Sequence, residues 1–87
     1  MSAPFPGSER AKHMGELQRG DHHWEVFVET QLDGELSAVR GRVHFLSGGH
    51  HRVTSWIFLE RSERDVQERF GEFSAVELWH FVEALEG

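Results

Sequence analysis

Hydrophobic and polar residues alternate along residues 22–46, and this alternation predicts two antiparallel strands. Between the strands, Asp33-Gly34 is a strong signal for a two-residue turn of a β-hairpin. With these residues at the turn, Val28 is expected to face Val39. The register collects apolar side chains on one face of the sheet and charged ones on the other, as expected where one face is buried.

The face that carries the charged side chains is called the outer face below. Because the register fixes the partner of every residue in the hairpin, it predicts which side chains meet on this face. The predicted pairs are Phe27 with Arg40, Glu25 with Arg42, and His23 with His44.

A third strand is predicted from His51 to Glu60, after a turn with two glycines at residues 48–49. In the corresponding register Thr54 faces Val43, Phe58 joins the apolar face, and Trp56 faces Gly41. The indole ring of Trp56 would then lie over the glycine, which would explain a glycine in the middle of a strand.

Two helices are predicted after the strands. The first covers residues 63–70 and ends at Gly71, which is expected to adopt a left-handed conformation. The second begins with the capping-box pattern of Ser74 and Glu77 and continues to about Glu86. The apolar side of the second helix is expected to cover the apolar face of the sheet.

The first 20 residues are expected to be a flexible segment or a short helix. Ala11, Met14 and Leu17 would share one side of a helix over residues 8–19, and residues 1–7 contain two prolines and a glycine. The whole chain is therefore predicted to be an α+β protein. Its single small domain, residues 21–87, is expected to contain a three-stranded antiparallel meander followed by two C-terminal helices packed on one face.

Length and charge restrict the class of protein. Eighty-seven residues form one domain at most, and three Trp and seven Phe supply much of its core. The net charge of −6 makes nucleic acid an unexpected partner. The chain has neither an apolar run long enough to span a membrane nor the apolar core of a signal peptide. A bacterial, cytoplasmic protein is expected.

The sequence offers little for catalysis. Cysteine is absent, which excludes thiol chemistry and thiolate metal sites. The glycines at 48–49 join two strands and do not open a helix, so they do not form a phosphate-binding loop. His23 and Glu25 could act as an acid–base pair, but so small a domain with a packed core offers no evident substrate cleft. We therefore do not expect an enzyme.

Seven histidines supply the main candidate chemistry. The register predicts that His23 lies opposite His44, that His51 is diagonal to His44, and that Glu25 lies beside His23. Three imidazoles and one carboxylate can hold zinc, nickel or copper. The alternatives are ordinary surface histidines without a ligand and a patch that titrates near neutral pH. No cofactor is otherwise expected.

The outer face also carries apolar side chains, which suggests a contact surface for a protein partner or a second copy of the chain. The alternative is that the N-terminal helix covers this face. Trp79 lies in a run of the second helix that is more apolar than one helix face needs. The primary prediction is a non-enzymatic interaction or regulatory module, acting as a homodimer or an adaptor. Its expected contact residues are Phe27, Arg40, Arg42, Ile57 and Trp79.

Overall fold

The computed structural model describes residues 10–85, which form a five-stranded antiparallel sheet and two helices. The elements are β1 (Ala11–Arg19), β2 (His22–Asp33), β3 (Ala38–Ser47), β4 (His50–Val53), β5 (Phe58–Glu60), α1 (Glu63–Phe70) and α2 (Ala75–Ala84). The order in the sheet is β1-β2-β3-β4, and β5 pairs with β3. The predicted α+β class is confirmed, although the sheet has five strands rather than three. Neither α1 nor α2 is long and apolar enough to cross a lipid bilayer.

β2 and β3 pair in a register that differs from the predicted one by four residues. Val28 lies opposite Val43 rather than Val39, and Phe45 lies opposite Val26. The predicted register would have left Phe45 near the end of the sheet, whereas here it is fully buried. Because side chains alternate with a period of two, a shift of four residues leaves every side chain on its predicted face.

The shift arises because the hairpin closes through residues 34–37 instead of a two-residue turn. Asp33 holds this longer loop, since its Oδ1 accepts the backbone N–H groups of Glu35 and Leu36, each at 3.2 Å. Ser37 takes the left-handed conformation that closes the loop, with φ of 50°. Side-chain bonds of this kind let aspartate organise a local turn. They favour the longer loop over the predicted one.

The second hairpin has the predicted register at its turn. Ser47 pairs with His50 across the two glycines at 48–49. The pairing continues to Thr54, whose backbone N–H donates to the carbonyl of Val43 at 3.0 Å. The hydroxyl of Thr54 then accepts the N–H of Val43 at 3.0 Å. The hydroxyl of Thr54 thus replaces the backbone carbonyl that would otherwise accept from Val43, and regular pairing ends at this residue.

The predicted third strand is therefore interrupted at residues 54–57, between β4 and β5. After the interruption Phe58, rather than Trp56, lies opposite Gly41. A Cβ at position 41 would lie 2.5 Å from Cγ1 of Val66 and 3.2 Å from Cβ of Phe58. Gly41 is thus required for close packing, as predicted, but against Phe58 and α1 instead of Trp56.

Residues 11–19 form strand β1, not the helix predicted over 8–19. The spacing of Met14 and Leu17 fits a helix, but Gly15 weakens it by about 1 kcal/mol and an isolated helix this short is marginal. Pairing with β2 offers backbone partners along the whole segment. Leu17 is buried in the core, as expected both for a helix and for a strand. Residues 1–9 lie outside the described part of the chain.

Both predicted helices are present and pack on the apolar face. Ser74 and Glu77 form the predicted capping box of α2. Gly71 follows α1, but its φ of −63° is right-handed, so the predicted left-handed stop is wrong. The core is continuous across sheet and helices and contains Leu17, Trp24, Val26, Val28, Val39, Val43, Phe45, Phe58, Val66, Phe70, Leu78, Trp79 and Val82.

Two arginines fasten α2 to the sheet. The guanidinium of Arg19 lies 4.5 Å from the ring centre of Trp79, and that of Arg52 lies 4.7 Å from that of Trp24. Arg52 Nη1 also donates to the carbonyl oxygen of Val82 at 2.7 Å. Cations are favoured at the C-terminal end of a helix because the last carbonyls lack partners within it. The helices thus cover one face, and the outer face remains for other chemistry.

Candidate metal centre

Two separate clusters of polar side chains on the outer face contain histidine. Phe27 lies between them on β2. The first, called the edge cluster, spans β1 and β2 and consists of His13, Glu16, His23 and Glu25. The second, called the central cluster, links β2, β3 and β4 and consists of Glu29, Arg42, His44 and His51.

Glu25 is the centre of the edge cluster. One of its carboxylate oxygens accepts from Nε2 of His13 at 2.6 Å, and the other accepts from Nε2 of His23 at 2.6 Å. Nε2 of His23 also lies 3.5 Å from a carboxylate oxygen of Glu16. One ligand atom from each of Glu16, His23 and Glu25 lies within 4.8 Å of the other two. Three potential metal ligands therefore converge here.

Solvent reaches all four side chains of the edge cluster, which are 38–54% exposed. The hydrogen bond to Glu25 raises the pKa of His23, and the negative charges of Glu16 and Glu25 act in the same direction. The hydrogen bond from His23 lowers the pKa of Glu25. The pair is therefore held as a charge-assisted contact that remains open to exchange with solvent.

Two neighbouring strands bring the edge cluster together. Glu16 lies directly opposite Glu25, and His13 lies opposite Phe27. The register of β1 shifts between His13 and Gly15, which marks a β-bulge at this point. Facing residues in a pair of antiparallel strands have their Cβ atoms about 4.5–5.5 Å apart, close enough for long polar side chains to meet.

The central cluster is buried where the edge cluster is exposed. Glu29 is 8% exposed and His44 is 2% exposed. Nε2 of His44 donates to Oε1 of Glu29 at 2.6 Å, and Nε of Arg42 donates to the same oxygen at 2.8 Å. Because a carboxylate only accepts, the proton of His44 lies on Nε2. Nδ1 of His44 is then the acceptor for Nε2 of His51, at 2.8 Å.

Burial and charge set the protonation states of the central cluster. Burial lowers the pKa of His44 by more than the bond to Glu29 raises it. Burial also works to raise the pKa of Glu29, but hydrogen bonds from Arg42 and His44 outweigh it, so the pKa of Glu29 is lowered. Glu29 and Arg42 therefore form an ion pair beside a neutral His44. Trp56 covers this ion pair, with its ring centre 4.2 Å from the guanidinium carbon of Arg42.

The structure divides the four predicted metal ligands between the two clusters. His23 and Glu25 belong to the edge cluster, and His44 and His51 to the central cluster. The diagonal contact of His44 with His51 occurs as predicted. His23, however, lies opposite Gln18 of β1 rather than opposite His44, because the first hairpin has the longer loop. The predicted pairs of Phe27 with Arg40 and Glu25 with Arg42 are wrong for the same reason, since their partners are His44 and Leu46.

Sequence reasoning missed His13 and Glu16 because their segment has helical spacing. The available signal was Gly15, since a lone glycine within a strand pattern indicates a bulge. With residues 11–19 assigned to a strand next to β2, Glu16 would have been placed within reach of Glu25.

The predicted contact residues lie in three different places: Phe27, Arg40 and Arg42 on the outer face, Ile57 between β4 and β5, and Trp79 in the core. Arg40 is bound to Asp33, with Nη2 and Oδ2 2.8 Å apart. Ile57 is 39% exposed. Trp79 is 9% exposed and lies under the guanidinium of Arg19, so its ring already has a structural role.

No family model matches the chain, and no curated protein or solved structure matches it. The residues themselves therefore carry the functional argument. Of the two clusters, the edge cluster combines exposure with convergent ligand atoms.

Proposed function

We propose that this protein binds a divalent transition-metal ion of the zinc type through the edge cluster. The observation that carries the proposal is the convergence of ligand atoms from Glu16, His23 and Glu25 within 4.8 Å. Imidazole and carboxylate together suit zinc, nickel and copper, whereas calcium and magnesium are held by oxygen ligands. The donor set therefore favours zinc or nickel over the alkaline-earth ions.

Charge supports the edge cluster over the central cluster. Glu16 and Glu25 together carry two negative charges, which balance one divalent ion. In the central cluster Arg42 already neutralises Glu29. A divalent ion beside His44 would bring two uncompensated charges into a buried place, which costs several kcal/mol.

The required rearrangement is small. Neighbouring ligand atoms around tetrahedral zinc are roughly 3.3 Å apart, since zinc–nitrogen and zinc–oxygen distances are about 2.0–2.2 Å. Nε2 of His23 and the oxygen of Glu25 that it contacts, now 2.6 Å apart, must therefore separate by roughly 0.7 Å, and ligand atoms up to 4.8 Å apart must approach by at most roughly 1.5 Å. Side chains that are half exposed can rotate by this amount without disturbing the core.

Calorimetric titration of the metal-free protein with ZnCl₂ tests the proposal. We expect saturable binding of one ion and a loss of affinity of at least about tenfold in His23→Ala. The matched control is His22→Ala, because His22 is the exposed neighbour on the opposite side of the strand. Equal losses of affinity in both variants would mean that zinc binds non-specifically to surface histidines, which would contradict the proposal. A loss in His44→Ala instead would favour the four-ligand set expected from the sequence.

A second candidate function is docking of a protein, with a second copy of this chain as the first occupant to test. It is favoured by four large apolar side chains at the end of the sheet formed by the β2–β3 loop and β5: Leu32, Leu36, Ile57 and Leu59, which are 39–65% exposed. Exposed apolar groups are typical of contact surfaces, although here Leu32 pairs with Val39 of the apolar face and Leu59 pairs with Arg40 of the outer face, so a partner would contact both sides of this end of the sheet. The cytoplasmic location expected from the sequence stays a prediction.

Light scattering tests this second candidate. Leu59→Asp should reduce association, whereas Val76→Asp should not. Val76 is a suitable control because it is 58% exposed and lies at the start of α2. Unchanged association in Leu59→Asp, or a monomeric wild-type protein, would remove self-association as the function of this surface.

A further inference from the structure

We propose that His13 is the fourth ligand of the edge cluster and that the β-bulge in β1 brings it there. This inference rests on the proposed metal binding. Glu16, His23 and Glu25 supply three ligands, which would leave one position open on tetrahedral zinc. Nε2 of His13 already lies 2.6 Å from Oε1 of Glu25, and Nε2 of His23 lies 2.6 Å from Oε2 of the same carboxylate. His13 is not among the ligand atoms that lie within 4.8 Å of one another, so its side chain would have to rotate toward the ion.

The bulge explains why His13 and Glu16 share a face. Residues of a regular strand point alternately to opposite faces, so positions 13 and 16 should point apart. In β1, His13 lies opposite Phe27 and Gly15 lies opposite Val26, which leaves Met14 as an extra residue. The extra residue shifts the alternation of side chains between the two faces of the sheet by one position. Both His13 and Glu16 consequently join the outer face.

The local sequence supports the bulge at this point. Gly15 has φ of 155°, a conformation that side-chain-bearing residues rarely adopt. Met14 packs against the core, so the extra residue is anchored. β-Bulges are over-represented next to functional sites, where they redirect a side chain. Here the redirected side chains are those of His13 and Glu16.

The ring of His13 is oriented before any ion arrives. It meets the ring of Phe27 edge to face, with centroids 5.1 Å apart and an angle of 65° between the planes. Because Glu25 accepts from Nε2, the proton of this nitrogen would have to move to Nδ1 or to solvent before Nε2 could bind the ion. A complete set of two imidazoles and two carboxylates has no open position, which is characteristic of a structural rather than a catalytic zinc site. Two ligands from β1 and two from β2 would hold the edge strand to the sheet.

Zinc titration of His13→Ala tests the assignment, with Lys12→Ala as the control on the neighbouring residue. We expect affinity to fall at least about tenfold in His13→Ala and to be unchanged in Lys12→Ala. With Co²⁺ as a probe, the intense visible absorption of a tetrahedral ion should weaken in His13→Ala as water replaces the imidazole. Equal zinc affinity and an equal cobalt spectrum would overturn the role of His13 while the three-ligand proposal stands. Absence of zinc binding by the wild-type protein would overturn both.

Deletions that change the number of residues between His13 and Glu16 test the role of the bulge. Removing Met14 alone makes the strand regular and keeps His13 and Glu16 two positions apart, so both remain on the outer face and zinc still binds. Removing Met14 and Gly15 makes them adjacent, which turns one of them away, and affinity should fall at least about tenfold. Circular dichroism confirms that each variant is folded. The same affinity in both deletion variants would contradict the proposed role of the bulge.

Discussion

The edge cluster and the central cluster contain the same kinds of side chain on the same face of one sheet, but they differ in burial and in charge. In the central cluster each polar group has a fixed partner, and Glu29 and Arg42 cancel each other's charge. In the edge cluster two imidazoles share Glu25, solvent reaches every side chain, and two negative charges face no arginine or lysine in the contacts described. The comparison suggests that surplus charge and exposure, rather than the presence of histidine and glutamate, distinguish a ligand site from a structural network.

The largest expected effect separates the two clusters by stability. Glu29→Ala leaves Arg42 and His44 without their shared acceptor in a buried place and should lower the free energy of unfolding by about 3 kcal/mol. Glu25→Ala removes contacts between exposed groups and should cost less than about 1 kcal/mol. Urea denaturation of the metal-free variants measures both. Similar losses in the two variants would mean that the clusters have the same role.

A smaller effect is the opposite response of the clusters to pH. His44 has a lowered pKa when folded, so its contribution to stability is complete above the unfolded pKa of about 6.5 and is lost as the pH falls. The loss is at most about 1.4 kcal/mol per pH unit for one proton. His23 has a raised pKa, so its contribution is complete below about pH 6.5 and is lost as the pH rises through the folded pKa.

Urea denaturation between about pH 5 and pH 8, with a chelator present, checks these signs. The stability of the wild-type protein relative to His44→Gln should decrease toward acid. Relative to His23→Gln it should decrease toward alkaline pH. The glutamine amide can still donate to Glu29, which isolates titration from loss of the hydrogen bond. The same sign in both comparisons would contradict the assigned protonation states.

Much of the fold could be predicted from the alternation of apolar and polar residues. An even error in the strand register leaves each side chain on its predicted face of the sheet. Val28 and Val43 are on the apolar face and Glu25 is on the outer face in both the predicted and the observed pairing, since the shift between them is even. What alternation could not supply was the loop length. The loop length depended on the backbone hydrogen bonds that the carboxylate of Asp33 accepts and on the left-handed Ser37, whereas the prediction followed the strong Asp-Gly turn signal.

The site was harder to predict than the fold because it depends on register and on a bulge. An error of four residues placed His23 opposite His44 and thereby joined residues that belong to two clusters. Because the spacing in residues 11–19 is helical, the sequence did not predict either of the proposed ligands of β1, His13 and Glu16. His44 with His51 was predicted, because that contact depends on the Gly-Gly turn, whose length was correct.

A zinc titration followed by ¹H–¹⁵N NMR of the full chain shows which of the two clusters binds the ion. If the edge cluster binds zinc, we expect saturable shifts at one equivalent, confined to amides near residues 12–17 and 22–26, with none beyond noise around His44 and His51. Shifts centred on His44 and His51, or shifts spread over all the histidines without saturation, would contradict the assignment of metal binding to the edge cluster.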